Sequence, residues 1–206
     1  VSVLIAFPSG ENVNVQFMLS TIQLLMFNKT IPIANIANCC SSRIAFNRNT
    51  LVDSAKAVNA THILFIDADM IFPANALERL MAHDLDIVGA TACKRTDDED
   101  GNDAIGWPMD EQRMQIQNAP IKMRIMGLPF MLIKMSVFEK LPAPWFAEPP
   151  QNMMGKLDDP GLMPEDEFFC HNAIKAGFDI WCDISLSMDI GHRGAKTFYI
   201  MKPTAV

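Results

Sequence analysis

Asp67 and Asp69 stand one residue apart in THILFIDADMIFP (61–73), directly after five residues that suit a buried strand. A carboxylate pair delivered to the mouth of a sheet costs desolvation and mutual repulsion unless a cation or hydrogen-bond donors compensate. Mn²⁺ or Mg²⁺ would compensate. Both favour carboxylate and phosphate oxygens, and Mg²⁺ commonly takes one or two carboxylates and fills its shell with substrate phosphates and water. The same pair could instead cap the helix expected from Pro73. Two further triplets, Asp84/Asp86 and Asp98/Asp100, do not follow an apolar strand; a helix-to-strand turn and a charged, solvated loop account for them.

A second acidic group, Glu165-Asp166-Glu167, opens a stretch with helical character. The helix macrodipole favours acidic residues in a first turn, which is one sufficient reason for their presence. The chemical alternative is a general base, because a carboxylate at a helix start beside a cleft can accept a proton from a hydroxyl nucleophile. His192, in IGHRG, is a candidate metal ligand whose flanking glycines would let backbone come close to a ligand. His171 lies within the expected helix and has no such support.

For these groups to meet, the chain must carry them to one edge of a sheet. Val3 to Phe7 is an apolar run ended by Pro8, Ser9 and Gly10, read as a buried strand and a loop. Asn12 or Asn14 could cap a helix from about 15 to 28, whose apolar positions suit a core helix. Ile31 to Ala37 is a second apolar run, followed by NCCSSR; in NTLVDSAKAVNA, Leu51, Val52, Ala55 and Val58 share one helical face. HILFI then delivers the aspartates, Pro73 fits the first turn of a helix carrying Leu77, Leu80 and Met81, and Asp86 to Ala92 is another strand. This alternation predicts a single α/β domain over 1–206 with a mostly parallel central sheet and helices on both faces, binding ligands beyond the carboxyl ends of its strands. From 95 to 119, charge, glycine and proline break the periodicity, and a mobile lid or binding loop is expected. Phe130 to Lys134 is a later strand, 143 to 163 a Pro-rich loop, PEDEFFCHNAIKAG a helix ending at Gly177, and FDIWCDI the last strand.

Composition narrows the partners. With half its residues apolar and 20% charged, the chain can bury a substantial core. A net charge of -7 argues against nucleic acid or an anionic membrane surface as the main partner. The most apolar stretch, VQFMLSTIQLLMF, is too short and too interrupted to span a bilayer, so no transmembrane segment is expected. Five cysteines without a CxxC pair make a disulfide framework improbable, and the opening VSVLIAFP lacks the marks of a signal peptide; a cytoplasmic protein is expected.

Taken in order, these residues resemble the nucleotide-sugar-dependent glycosyltransferases of the A-type fold, a Rossmann-like α/β architecture, and in particular family 2 and related phage, viral or environmental members. Arg48-Asn49 opening a helix, followed about twenty residues on by Asp67-Ala68-Asp69, is similar to the family's RN segment and DxD motif. Gly127-Leu128-Pro129-Phe130-Met131 resembles the segment behind the donor sugar. Glu165-Asp166 with Phe169-Cys170 and Ala176-Gly177-Phe178 resembles the ED helix, and Gly191-His192 the late metal-binding histidine.

The resemblance implies a nucleotide-binding part at about 1–94 and a donor-sugar and acceptor part at about 95–206. It implies Asp69 and His192 as holders of Mn²⁺ or Mg²⁺, with Asp67 touching the metal shell or the donor's ribose and sugar, and Ala68, Gly127 and Leu128 beside the donor. Pro8 and Ser9 would line the nucleotide site, Arg48 would reach toward the nucleotide, and Asp166, with Glu165, would supply the base. The donor would be a nucleotide-diphosphate sugar and the acceptor a carbohydrate or other hydroxyl, with inversion if displacement is direct. Many family members read the base with an aspartate after the second strand, where this chain has NCCSSR. The 95–119 loop and Trp145-Phe146 are candidate acceptor walls, though burial of the aromatic pair is an equal alternative. Three rival readings share parts of this pattern: a nucleotidyltransferase, for which PSGENVNV lacks a Gly-rich, Arg-containing loop; a metal-dependent phosphatase, whose DxD belongs nearer the domain start; and a noncatalytic sugar- or nucleotide-binding module.

Overall fold

All five side chains of HILFI are buried, so this strand must lie inside a sheet covered on both faces. The computed structural model, which describes residues 1–95, 104–109, 119–154, 161–194 and 196–200, places it there. In chain order the elements are β1 (Val3–Ser9), α1 (Val15–Phe27), β2 (Ile33–Cys40), α2 (Ile44–Ala57), β3 (His62–Ile66), β4 (Met70–Ile71), α3 (Ala76–Ala82) and β5 (Ile87–Ala90). There follow β6 (Gly106–Pro108), β7 (Ile121–Met126), β8 (Phe130–Lys134), α4 (Met135–Lys140), a 3-10 turn at Gln151–Met154, α5 (Glu165–Lys175), β9 (Ile180–Cys182), α6 (Ile184–Asp189), β10 (Gly191–Arg193) and β11 (Thr197–Phe198). Eight strands form one sheet in the order β2-β1-β3-β8-β5-β9-β7-β6, and β11-β10-β4 form a second, small one.

The large sheet is mixed, which corrects the mostly parallel expectation. β1 runs parallel to β2 and β3, and β5 to β9, but β8 is antiparallel to both β3 and β5, and β7 to both β6 and β9. A short buried run such as FMLIK reads the same in either direction, so its sequence carries no signal of orientation. The reversal has a consequence for the site. Phe130, the first residue of β8, lies opposite Ile66 and Ala90, the last residues of β3 and β5. The preceding Gly127-Leu128-Pro129 is thereby carried to the mouth of the sheet, where the Asp67 amide donates to the Pro129 carbonyl at 2.9 Å.

Successive residues of a strand face opposite layers. Ile63 and Phe65 of β3 pack in the layer of Leu51, Val52, Phe138 and Phe169, from α2, α4 and α5. Leu64 and Ile66 pack in the layer of Phe17, Leu24, Leu77, Leu80 and Leu186, from α1, α3 and α6. Helices therefore cover both faces, as expected. Where β5 passes β8 the backbones approach so closely that only glycine fits: a Cβ on Gly89 would sit 2.7 Å from the Phe130 carbonyl oxygen and 2.9 Å from Met126 Cε. Gly89→Ala is expected to destabilise the fold by about 1–3 kcal/mol, read as a lowered urea midpoint.

Several elements differ from the sequence-based expectation. α3 starts at Ala76, three residues after Pro73, because Met70-Ile71 first pairs with β10. Val58 lies past the end of α2 and is 37% exposed. Asn14 caps α1, accepting from the Gln16 amide at 2.8 Å, but the helix buries only Phe17, Ser20 and Leu24, so only one face meets the core. α4, α6 and the β6–β7 hairpin were not anticipated, being short or masked by charge. Most of the expected 95–119 lid, with Asp98/Asp100, and part of the 143–163 loop lie outside the described residues. Trp145 and Phe146 are buried, the indole N–H donating to the Phe138 and Leu141 carbonyls and the Phe146 ring stacked on Phe169, so they form no acceptor wall. The cysteines are all free thiols, and among the described residues no helix is long and apolar enough to cross a membrane.

Candidate functional site

The strand ends and the loops after them enclose a cleft of about 590 Å³. Its lining includes the expected donor, base and metal residues: Pro8 and Ser9 after β1, Arg48 from α2, Asp67, Ala68 and Asp69 after β3, Gly127 and Leu128 before β8, Glu165 and Asp166 opening α5, and His192 from β10. His171 is exposed elsewhere on α5.

Arg48 sits beneath the cleft floor, only 3% exposed. Its Nε donates to Glu165 Oε1 at 3.1 Å and its Nη2 to Asp67 Oδ1 at 3.0 Å. Burial alone would disfavour the guanidinium charge, but the two carboxylates outweigh it and raise its pKa. Asp67 is pushed up by burial, an effect that Arg48 opposes. Glu165 is thus committed to Arg48, and the expected reach of Arg48 toward a nucleotide is limited to Nη1, which is buried without a hydrogen-bond partner. Asn49, its neighbour in the RN segment, acts on the backbone: its side chain accepts from the Trp145 and Phe146 amides and donates to the Ala45 and Phe146 carbonyls.

Asp69 and His192, distant in sequence, meet because β4 and β10 pair. Met70 lies opposite His192, and the Arg193 amide donates to the Asp69 carbonyl at 2.8 Å. The His192 Nδ1–H donates to the Cys93 carbonyl at 2.7 Å, which leaves the bare Nε2 facing Asp69 Oδ2 at 3.4 Å. Burial lowers the His192 pKa, with Arg95 adding to the effect, so the ring stays neutral at pH 7. A bare imidazole nitrogen facing a carboxylate is a donor pair suited to a cation. Arg95 Nη2 donates to the same Oδ2 from a half-exposed side chain. Among the described residues no three His, Cys, Asp or Glu side chains group to hold a metal by themselves. The Asp69–His192 pair fits an ion that draws its remaining ligands from phosphate and water. The glycines beside His192 serve the chain itself: a Cβ on Gly191 would meet Thr197 and Tyr199 side chains at 2.8–2.9 Å, and one on Gly194 would meet Phe198 and Arg95.

Asp166 is pushed up to about 6, first by burial and then by neighbouring Glu165, and its Oδ1 accepts from the Glu167 amide at 2.8 Å. Gly127 faces it; a Cβ there would lie 3.4 Å from Asp166 Oδ2. Sequence reasoning missed Arg95, the Cys93 carbonyl and Asn47, which lines the cleft with its amide tied to Ser41. Only tertiary pairing reveals them, since none belongs to a spaced motif.

No protein-family model matches the chain, and no curated protein matches it in sequence. Solved structures do match. A197 from STIV aligns with a TM-score of 0.61 and 17% identity, covering 100% of this chain and 97% of that one. GalNAc-T7, solved with UDP, GalNAc and Mn²⁺, aligns with a TM-score of 0.60 and 11% identity over 93% of this chain, which spans 43% of that one. At these identities the likeness is one of architecture, and the chain has a glycosyltransferase A-like α/β fold built on a mixed sheet.

Proposed function

We propose that this chain is a metal-dependent glycosyltransferase that moves a sugar from a nucleotide-diphosphate donor to an acceptor hydroxyl. The observation that carries the reading is the convergence in one cleft of the Asp69–His192 donor pair and a carboxyl at Asp166 with a pKa of about 6, on a glycosyltransferase-like fold. Asp69 and His192 would hold Mn²⁺ or Mg²⁺, which supplies Lewis-acid stabilisation of charge on the departing nucleoside diphosphate. Pro8 and Ser9 would wall the nucleotide, on the 1–94 side. Asp67, held by Arg48, would offer its second oxygen to a ribose or sugar hydroxyl, and Ala68, Gly127 and Leu128 would pack along the donor, with the acceptor entering from the 95–206 side. Glu165 acts through Arg48, as a positioning residue. Asp166 would take the proton from the acceptor hydroxyl as its oxygen bonds to the anomeric carbon and the bond to the diphosphate breaks, inverting that centre.

The test is calorimetric titration with UDP, GDP and their sugar conjugates, with Mn²⁺ and with chelator, followed by a turnover assay. Metal-dependent binding of one diphosphate is expected, and Asp69→Ala should reduce that affinity at least tenfold without changing the circular dichroism spectrum. Unaltered affinity in Asp69→Ala would remove Asp69 from the site, and binding without turnover against a panel of acceptors would favour the noncatalytic module.

A further inference from the structure

Helix α1 is apolar on two opposite sides. Phe17, Ser20 and Leu24 face the core, while Val15, Met18, Leu19, Ile22 and Met26 each expose 43 to 68% of their surface. At 3.6 residues per turn these five fall within an arc of about 100°, centred opposite the buried face. A helix apolar on both sides belongs in an interior, whereas this one packs by one side only, with Phe17 edge-on to Phe7 and Phe72. Ile36, on the edge strand β2, is in register with Ile5 and so faces the same side as α1; it is 40% exposed.

We infer that this face of α1 is the interface of a two-fold symmetric homodimer, in which α1 packs on α1 of a second copy. Two observations choose that occupant. The exposed side chains, counted with Ile36, present roughly 500 Å² of apolar surface, in the upper half of the range of the largest patches that monomers carry. That is more than half of the roughly 800 Å² per partner of a stable interface, whose remainder is a polar rim. The second observation is charge. VQFMLSTIQLLMF has no ionisable side chain, so two copies of a chain with net charge -7 can meet here without bringing like charges together. A lipid surface is disfavoured because helices that lie on membranes carry Lys and Arg on their polar face, and α1 has none. A two-fold contact is self-complementary, so Ile22, near the middle of the stripe, meets the corresponding region of its partner. Asn14, which caps α1, also lines the cleft, so the dimer would place a second copy near the cleft entrance.

The test is sedimentation equilibrium of the chain across the micromolar range. A dimer is expected for the wild type. Ile22→Asp, at a half-exposed position that the fold tolerates, should weaken association by on the order of 10²- to 10³-fold. Met26→Lys should also weaken it, and an equimolar mixture of Ile22→Asp with Ile22→Lys should re-associate more strongly than either alone. Circular dichroism melts verify that each variant is folded. A wild type that stays monomeric at about 100 μM, a dimer insensitive to both single variants, or flotation of the monomer with phosphatidylcholine vesicles would each overturn the inference. Metal-dependent nucleotide binding is measured separately, so failure here leaves the proposed activity untouched.

Discussion

Asp166→Asn is expected to lower transfer by on the order of 10²- to 10⁴-fold while leaving metal-dependent nucleotide binding intact, because the amide keeps the shape of the side chain but cannot accept a proton. The wild type carries its own signature of the same group. With a pKa of about 6, the carboxylate is the required form, so kcat/KM should fall about tenfold per pH unit below 6 and level off above 7. The variant should also be more stable than the wild type above pH 7. A carboxyl whose pKa is raised by folding binds protons better in the native state, so its contribution is favourable below about 4 and is lost as pH rises through about 6. Removing the charge recovers about 1–3 kcal/mol, the range set by a shift of this size in a partly exposed side chain. A urea titration at pH 8 beside the transfer assay checks both halves. Near-normal transfer would reject Asp166 as base, and equal or lower stability would mean that burial does not strain it.

Arg48→Met should produce the largest loss of stability, about 3–5 kcal/mol at pH 8, because it leaves Glu165, largely buried, and Asp67, at the cleft wall, as neighbouring carboxylates without a counter-charge. Without Arg48 the Asp67 carboxyl, which burial already pushes up, would titrate higher still. The native state would then gain protons relative to the unfolded chain as pH falls, and the deficit should shrink between pH 8 and pH 5. Arg48→Lys should recover only part of the loss, since one ammonium cannot span from Glu165 to Asp67 as Nε and Nη2 do. Chemical denaturation of the three proteins at both pH values measures the effect. A pH-independent deficit would locate the loss in packing against Phe65, over which the guanidinium lies at 5.5 Å, and not in charge.

How much of this was legible depends on how local the physics is. The buried strand before Asp67, a cap at Asn12 or Asn14 (the structure uses Asn14), the acidic start of α5 and the covering of both sheet faces by helices follow from hydrophobic period and capping chemistry, which act over a few residues. Asp67, Asp69, Glu165, Asp166 and His192 could be picked out for the same reason: carboxylates and a histidine beside apolar runs or glycines stand out in a linear pattern, whereas Pro8, Ser9, Arg48, Ala68, Gly127 and Leu128 entered only through the family resemblance. Their working relations could not. Glu165 and Arg48 are separated by 117 residues, and a carboxylate at a helix start looks the same whether it meets solvent, substrate or a buried guanidinium. The orientation of β8 and the pairing of β4 with β10 depend on which strands are neighbours, and neither a symmetric apolar run nor a two-residue strand encodes that by itself. α1 shows the same divide: its composition reads as core, but only the tertiary structure shows that one apolar face is left outside. Sequence alone determined the longer helices, the buried strands and the chemistry available to them, because propensity and periodicity are short-range. Tertiary structure decided which charges meet, which glycines serve packing and which apolar face is left uncovered, because those are set by contacts between segments that are remote along the chain.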